Sequence, residues 1–411
     1  IQTPLAIYVP AKSVELWQSG RKEYKMQSKI QSHEDIILDM FRLYAVIYEW
    51  IPGIDAAQAY KNRILDEELM KSLTLDSEII MGKWGFRVVD SKPHHIIVRP
   101  KNGDFVRNRK GGINYALIDF ELLQRTPEQE AIVKKSRRAD YLRRQRDRFT
   151  IEIPKEFHPH LSHENIFGVE YVYGHVESTR GRLWVVGRDP YLFDYFLPER
   201  WEKIPKTRIS VYSDMFYCLT KDNIHLAWKA SKVGSKPGHF ENKRILEHGY
   251  NSPFEEVAIS LELSKKGVAT IYPRAIYMTE NTILDKTFDN SRYESHKDIT
   301  TPDGILILEK NRNYIIIWGY WNGPDEKLAA EDGNYYEGIV ALRALREGII
   351  NQKQYLALLQ TAKEKLLQAE IEDLNHSGNH LLISLDSEGN IIRDEQGSIE
   401  IRICNFDFLK R

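Results

Sequence analysis

The sequence predicts an α+β fold built as two related units in tandem, with a β-rich, aromatic insert between them. Three observations carry this. Short segments recur in the same order in the two halves: Tyr44–Gly53 (YAVIYEWIPG) matches Tyr314–Gly323 (YIIIWGYWNG), His95–Val98 (HIIV) matches His380–Ile383 (HLLI), and Asp119–Arg125 (DFELLQR) matches Asn405–Arg411 (NFDFLKR). The interval from His95 to Asp119 is 24 residues and that from His380 to Asn405 is 25, and ordered matches at kept spacing mark an internal repeat. Runs of strand character alternate with stretches of helical period. Composition also shifts at Pro127, where a basic stretch begins, and again near Ile151, where aromatics take over. The predicted boundaries are therefore 1–126 for the first unit, 127–150 for a basic linker helix, 151–206 for the insert and 207–411 for the second unit.

Each element has a local reason. Leu5–Val9 reads as a strand and Val14–Ser32 as a polar helix. Leu43–Tyr48 is a β-branched and aromatic run closed by Pro52 and Gly53, which predicts a buried strand. Glu67–Lys83 has helical period, and Phe86–Val89, His95–Val98 and Tyr115–Ile118 are short apolar strands. Pro127–Arg148 is helical in pattern and carries Lys134, Lys135, Arg137, Arg138, Arg143, Arg144, Arg146 and Arg148 against Asp140 and Asp147. In the insert, Val169–Tyr173 and Arg182–Val186 are strand-like. In the second unit, Ala269–Met278 and Tyr314–Trp318 read as strands, 280–312 as an inserted hairpin, and Gln352–Ala369 as a helix.

Composition bounds the function. With 42% hydrophobic and 28% charged residues the chain can build ordinary cores, which excludes wholesale disorder. Lys plus Arg total 58 and Asp plus Glu 59, so no global field selects nucleic acid or an anionic membrane. Cys218 and Cys404 are the only cysteines, too few for a disulfide framework or a four-thiolate zinc site, and a reducing, cytoplasmic setting is the expectation. No apolar run reaches the ~18 residues of a membrane-spanning helix. The chain begins at Ile1 rather than Met, so upstream residues are expected to be missing from this sequence.

The residues that carry chemistry resemble those of the protein-kinase-like superfamily. Asp90–Val98 (DSKPHHIIV) resembles its catalytic loop, with Asp90 and Lys92 in the family's positions and His95 where the family has a metal-binding Asn. Tyr115–Glu121 (YALIDFE) resembles the strand and Asp-Phe-Gly turn, with Asp119 at the aspartate and Glu121 in place of the glycine. Val9–Lys12 resembles the strand of the phosphate-binding lysine, and Glu23 lies in the helix that carries its partner. Glu49, after the strand at Leu43–Tyr48, falls in the adenine-holding hinge. The resemblance spans roughly residues 1–126. In the second unit Lys229 resembles the phosphate-binding lysine, Glu255 is chosen as its partner with Glu256 close behind, and Asp373 with Asn379 resembles the catalytic loop. Asn405 stands at the Asp-Phe-Gly aspartate, and no glycine lies between Tyr212 and Lys229, so this unit looks like a pseudokinase.

The resemblance implies an ATP-dependent phosphotransferase. Asp90 would be the base, Asp119 the Mg²⁺ ligand with His95 auxiliary (His also suits Mn²⁺), and Lys12 with Glu23 the phosphate clamp. The second unit would be regulatory, and the acceptor would be a protein or small molecule. The alternative is a non-catalytic scaffold of two clefts holding a protein or nucleic-acid partner. Two further features have bland counterparts. His158, His160 and His163 have spacing that suits zinc or nickel, or are plain loop surface. The basic stretch 134–148 suits phosphates, or is a solvated helix face.

Overall fold

The computed structural model describes residues 3–8, 45–120, 123–153, 160–176, 178–202, 204–209, 215–238, 242–282, 289–320, 337–386, 388–393 and 397–411. Lys12, Glu23, Glu121, His158, Trp321 and the helix expected over Val14–Ser32 lie outside these. The fold is mixed α+β with a large antiparallel sheet, and the chain divides into two compact units, Ile1–Ser136 and Arg137–Arg411. The first unit carries β1 (Pro4–Tyr8), β2 (Ala45–Tyr48), β3 (Ile54–Asp55), α1 (Ala56–Lys61), α2 (Glu67–Lys83), β4 (Phe86–Val88), β5 (Ile96–Val98), β6 (Pro100–Lys101), β7 (Asp104–Phe105), β8 (Tyr115–Leu117) and β9 (Leu123–Arg125). β2 pairs with β1, and its Val46 and Ile47 are exposed rather than buried as expected. Helix α3 (Pro127–Asp147) crosses the boundary between the units.

The second unit is organised by one sheet. Its strands are β10 (Leu161–Ile166), β11 (Val169–Val176), β12 (Gly181–Val186), β13 (Lys206–Arg208), β14 (Met215–Leu219), β15 (His225–Ala230), β16 (Pro273–Thr282) and β17 (Arg312–Gly319), in the order β10-β11-β12-β16-β17-β15-β14-β13. The segment 151–206 is therefore not a separate insert: its strands hydrogen-bond into the same sheet through the β12–β16 ladder. A strand sends alternate side chains to opposite faces, and both faces here are covered, which explains the near-continuous apolar runs. One face collects Tyr171, Tyr173, Trp184, Ile276, Ile316 and Trp318. The other collects Val172, Leu183, Val185, Trp201, Leu226 and Ile317 around Tyr141 of α3.

The C-terminal half of α3 is held to this second face by charge. Arg137 binds Asp222 and, at 2.5 Å, Asp194, while Arg144 reaches Asp189 at 3.0 Å and Asp140 at 2.6 Å. Arg143 and Arg146 pair with Asp140 and Asp147. Much of the basic stretch is thus paired with carboxylates of the same chain.

Beyond β15 come α4 (Lys243–His248), α5 (Pro253–Lys265) and α6 (Ser291–Ser295), then β18 (Glu337–Val340), α7 (Ala341–Arg346), α8 (Gln352–Gln368), β19 (Glu372–Asp373), β20 (Leu381–Leu385), β21 (Ile401–Ile403) and β22 (Leu409–Lys410). The stretch 280–312, expected as a hairpin, holds α6 and a Thr300–Leu306 bridge among its described residues.

The module β18–β22 and the module β3–β9 share one internal plan. Sheet order β18-β20-β21 corresponds to β3-β5-β8, and β19-β22 to β4-β9. The registers correspond too: Val340 faces Leu382 as Asp55 faces Ile97, and Asp373 faces Leu409 as Val88 faces Leu123. Helices α1 and α7 have 6 residues each, and α2 and α8 have 17. Asp66 caps α2 as Asn351 caps α8, each accepting the backbone N–H three residues on, the usual device for an orphan helix donor. The left-handed positions also correspond: Arg63 with Gly348, and Gly85 with Glu370. Buried Ala56, Ala59, Leu73 and Met81 find buried counterparts in Ala341, Ala344, Leu358 and Leu366.

Two stability measurements follow. Asp222 is 2% exposed and serves both Arg137 and Arg200. Removing one partner of a buried pair strands the other charge, but both guanidinia reach solvent, so Asp222→Ala is expected to cost roughly 2–3 kcal/mol in urea unfolding, below the full buried-pair figure. Glu164 is buried, and burial pushes its carboxyl up to about 7 from an ordinary 4.5, with the Asp303 charge acting the same way and the Trp184 N–H opposing. The folded state then holds the extra proton between these values, so this contribution is full below about 4.5 and is lost as pH rises through about 7. The unfolding midpoint of wild type relative to Glu164→Gln should fall between pH 5 and 8; parallel curves would contradict it.

Candidate functional site

The strongest concentration of buried charge lies in the second unit, where three elements converge on Lys229. On β15, Leu226 and Trp228 face one core while Ala227 lies in the other. Strand alternation sends Lys229 to the same side as Ala227, under α5. Its Nζ lies 2.7 Å from Glu256 Oε2 and donates to Asp407 Oδ1 at 2.6 Å. Lys229, Glu256 and Asp407 are 7%, 1% and 8% exposed.

Helix α5 explains which glutamate is available. Ser252 is its N-cap and Pro253 opens the first turn. Glu255, the partner expected for Lys229, occupies the third helical position and reaches back to the Ser252 N–H at 2.8 Å, completing a capping box. It also pairs with Arg292 at 3.1 Å. One residue on, Glu256 turns inward to the sheet and takes the lysine.

The turn after β21 explains which carboxylate is available. Asn405, expected to hold the Asp-Phe-Gly aspartate's place, uses its side-chain oxygen locally. Its Oδ1 accepts the Asp407 N–H at 3.1 Å, a local bond that favours a turn over continued strand. Phe406 stacks on Trp318 with centroids 5.1 Å apart, and Phe408 packs on Tyr250. Asp407 is fixed between the two rings and points to Lys229, with Lys232 3.8 Å from its second oxygen.

Charge state follows from surroundings. Burial alone would lower the Lys229 ammonium, but the charges of Asp407 and Glu256 outweigh it and hold it well above the ordinary lysine value. Burial would raise Asp407, yet Lys229 and Lys232 keep it below the usual carboxylate range. Glu256 is the member that yields: burial pushes it up to about 7 despite Lys229. A persistent cation thus sits beside a persistent anion.

Asp373 adjoins this cluster through the β19–β22 ladder, where it faces Leu409. Its carboxyl lies 3.4 Å from His376 Nδ1 and 3.6 Å from His380 Nδ1, and accepts the Asn375 N–H at 2.9 Å. Burial opposes its ionisation, but these donors bring it down to about 2. His376 is in turn raised, chiefly by its bond to Asp373. The backbone N–H of Asn379 donates to Ser377 Oγ, and its carbonyl accepts the Cys404 thiol at 3.7 Å.

In the first unit the expected site residues that are described do not assemble in the same way. Asp90 and Lys92 bind each other at 2.5 Å at the surface. By register Val88, not Asp90, corresponds to Asp373, so the position of a buried carboxylate is apolar there. His95 lies 3.4 Å from Asp119, which is 46% exposed and has a left-handed φ of 62°. The backbone N–H of Glu49 donates to Thr3. Among the described residues, no group of three or more His, Cys, Asp or Glu side chains could hold a metal ion, which leaves the histidines at 160 and 163 without a described metal set. No described helix is long and apolar enough to cross a membrane.

Lys229→Ala strands two buried carboxylates and should cost about 3–5 kcal/mol in urea unfolding. Lys229→Ala combined with Asp407→Ala should cost clearly less than the sum of the single changes, because the pair is coupled; additive losses would show that the three groups are not one cluster.

No protein-family model matches this chain, and no curated protein or solved structure matches it either.

Proposed function

We propose that the second unit binds ATP and serves as an ATP-dependent phosphotransferase of kinase-like character, with the first unit as a regulatory copy of the module. The observation that carries this is the buried Lys229 held between a helix glutamate and a turn aspartate, with Asp373 on the strand paired beside that turn. Phosphoryl transfer asks the protein mainly to position the phosphates and neutralise their charge. Lys229 stays cationic at neutral pH and suits contact with phosphate oxygens. Glu256 orients it from α5.

The donor set suits Mg²⁺ held through phosphates. Mg²⁺ prefers oxygen ligands and commonly uses one or two carboxylates together with substrate phosphates, and Asp407 stays anionic beside Lys229 and Lys232. Asp407 would hold the ion. When bound, Mg²⁺ neutralises charge on the phosphates. Asp373, clamped by two histidines, suits orienting an acceptor hydroxyl of a protein or small molecule better than removing its proton, since a carboxylate near pKa 2 is a weak base.

A non-catalytic scaffold remains the second reading, favoured by Asn405 in the aspartate's sequence position and by Val88 in the first unit. Isothermal titration with ATP and Mg²⁺ or Mn²⁺ separates the readings. Wild type should give saturable heat, Asp407→Asn should weaken binding at least tenfold, about 1.4 kcal/mol, and Asp119→Asn should leave it unchanged. No heat from wild type at millimolar ATP rejects the nucleotide reading. Binding without phosphate release or autophosphorylation favours the scaffold.

A further inference from the structure

Asn251 stands where two of the three elements that build the Lys229 cluster meet, helix α5 and the 406–409 turn. It lies between α4 and α5, immediately before the Ser252 cap, and is 2% exposed. Its Nδ2 donates to the carbonyls of Phe406 and Leu409, both at 2.8 Å, and its backbone N–H donates to the Asp407 carbonyl at 2.9 Å. With both amide hydrogens donated, Oδ1 can only accept. It accepts from Arg292 Nη2 at 3.0 Å and faces His248 Nε2 at 3.1 Å. Burial, then the Arg292 charge, holds His248 below the ordinary histidine value, so at neutral pH it is the neutral ring that meets Oδ1.

One side chain therefore grips the 406–409 turn from both sides of Asp407 while its own backbone leads into the helix of Glu256. Arg292 extends the grip. From α6 it also donates to the Tyr250 carbonyl at 3.2 Å and pairs with Glu255, the capping residue of α5. A generic buried asparagine would satisfy itself within one loop; this one bridges segments about 155 positions apart in the chain.

We infer that Asn251, held by Arg292, is the positioning residue that sets Asp407 against Glu256 around Lys229. It touches no ligand on this account and acts through the turn and the helix. Its effect on Lys229 is independent of what the site binds; its effect on nucleotide affinity rests on the reading above.

The test uses the full chain labelled with ¹⁵N-lysine, observing the side-chain ammonium signals. Lys229, buried and doubly paired, should give a slowly exchanging signal, assigned by its absence in Lys229→Arg. In Asn251→Ala, proton exchange at that signal should accelerate at least tenfold. In Arg292→Lys, which keeps one donor for Oδ1 and leaves the turn untouched, it should accelerate by less. If Asn251→Ala does not fold, Arg292→Lys alone decides. Wild-type exchange at Lys229 in a folded variant of either kind overturns the inference. Under the same conditions, Asn251→Ala should weaken ATP at least tenfold. Wild type that shows the Lys229 signal but binds no ATP removes the nucleotide reading and leaves the positioning role standing.

Discussion

The second unit depends on keeping one positive charge out of water. A buried ammonium is costly unless opposite charges meet it with good geometry, and Lys229 meets two. That requirement reaches into three elements at once. The β15 register decides that Lys229 points under α5, the capping box on Ser252 decides that Glu256 rather than Glu255 turns inward, and the Asn405 turn decides that Asp407 rather than residue 405 faces the lysine. A hydrophobic side chain at 229 would fill the space without these constraints, so the ion cluster is weak evidence of added stability.

The two modules separate framework from chemistry. Both keep the helix caps, the paired short strands, the left-handed residues ahead of them and a histidine at the loop, His95 or His380. They differ where charge would act: Val88 stands in the register position of Asp373. Apolar packing and capping can build this module with or without a buried carboxylate, as expected when sites are grafted on a scaffold. The carboxylate therefore distinguishes the module of the second unit from that of the first.

Much of the scaffold was legible in the sequence because it rests on local rules. The helix over Glu67–Lys83 was expected with its observed ends, since Asp66 caps it and the apolar period is clear. The module repeat was legible from two of the short matches, His95–Val98 with His380–Ile383 and Asp119–Arg125 with Asn405–Arg411, whereas the strands of Tyr44–Gly53 and Tyr314–Gly323 lie in different kinds of sheet. Lys229 and Asp373 were singled out by the resemblance to the kinase-like motifs. What escaped depended on single-residue register. Glu255 and Glu256 are adjacent and equally acidic, and only the capping box distinguishes them. Asp407 escaped because the motif position fell on Asn405, and only the turn closed by the Asn405 side chain brings residue 407 to the lysine. Asp90 matched a motif by spacing, but the β4–β9 ladder puts Val88 in the equivalent place. Asn251 could not be found from sequence, because its partners lie about 155 residues away. The expectation that activity lies in the first unit rested on those motif spacings; the proposal of a site in the second unit rests on the buried charge there.

The central claim is that the Lys229–Asp407 pair is a nucleotide and metal site. Anomalous diffraction from crystals grown with Mn²⁺ and a non-hydrolysable ATP analogue tests it most directly. The account predicts an anomalous peak in contact with Asp407, and analogue phosphates against Lys229. A peak at Asp119 and His95 with none at Asp407, or an analogue bound away from Lys229, would contradict it.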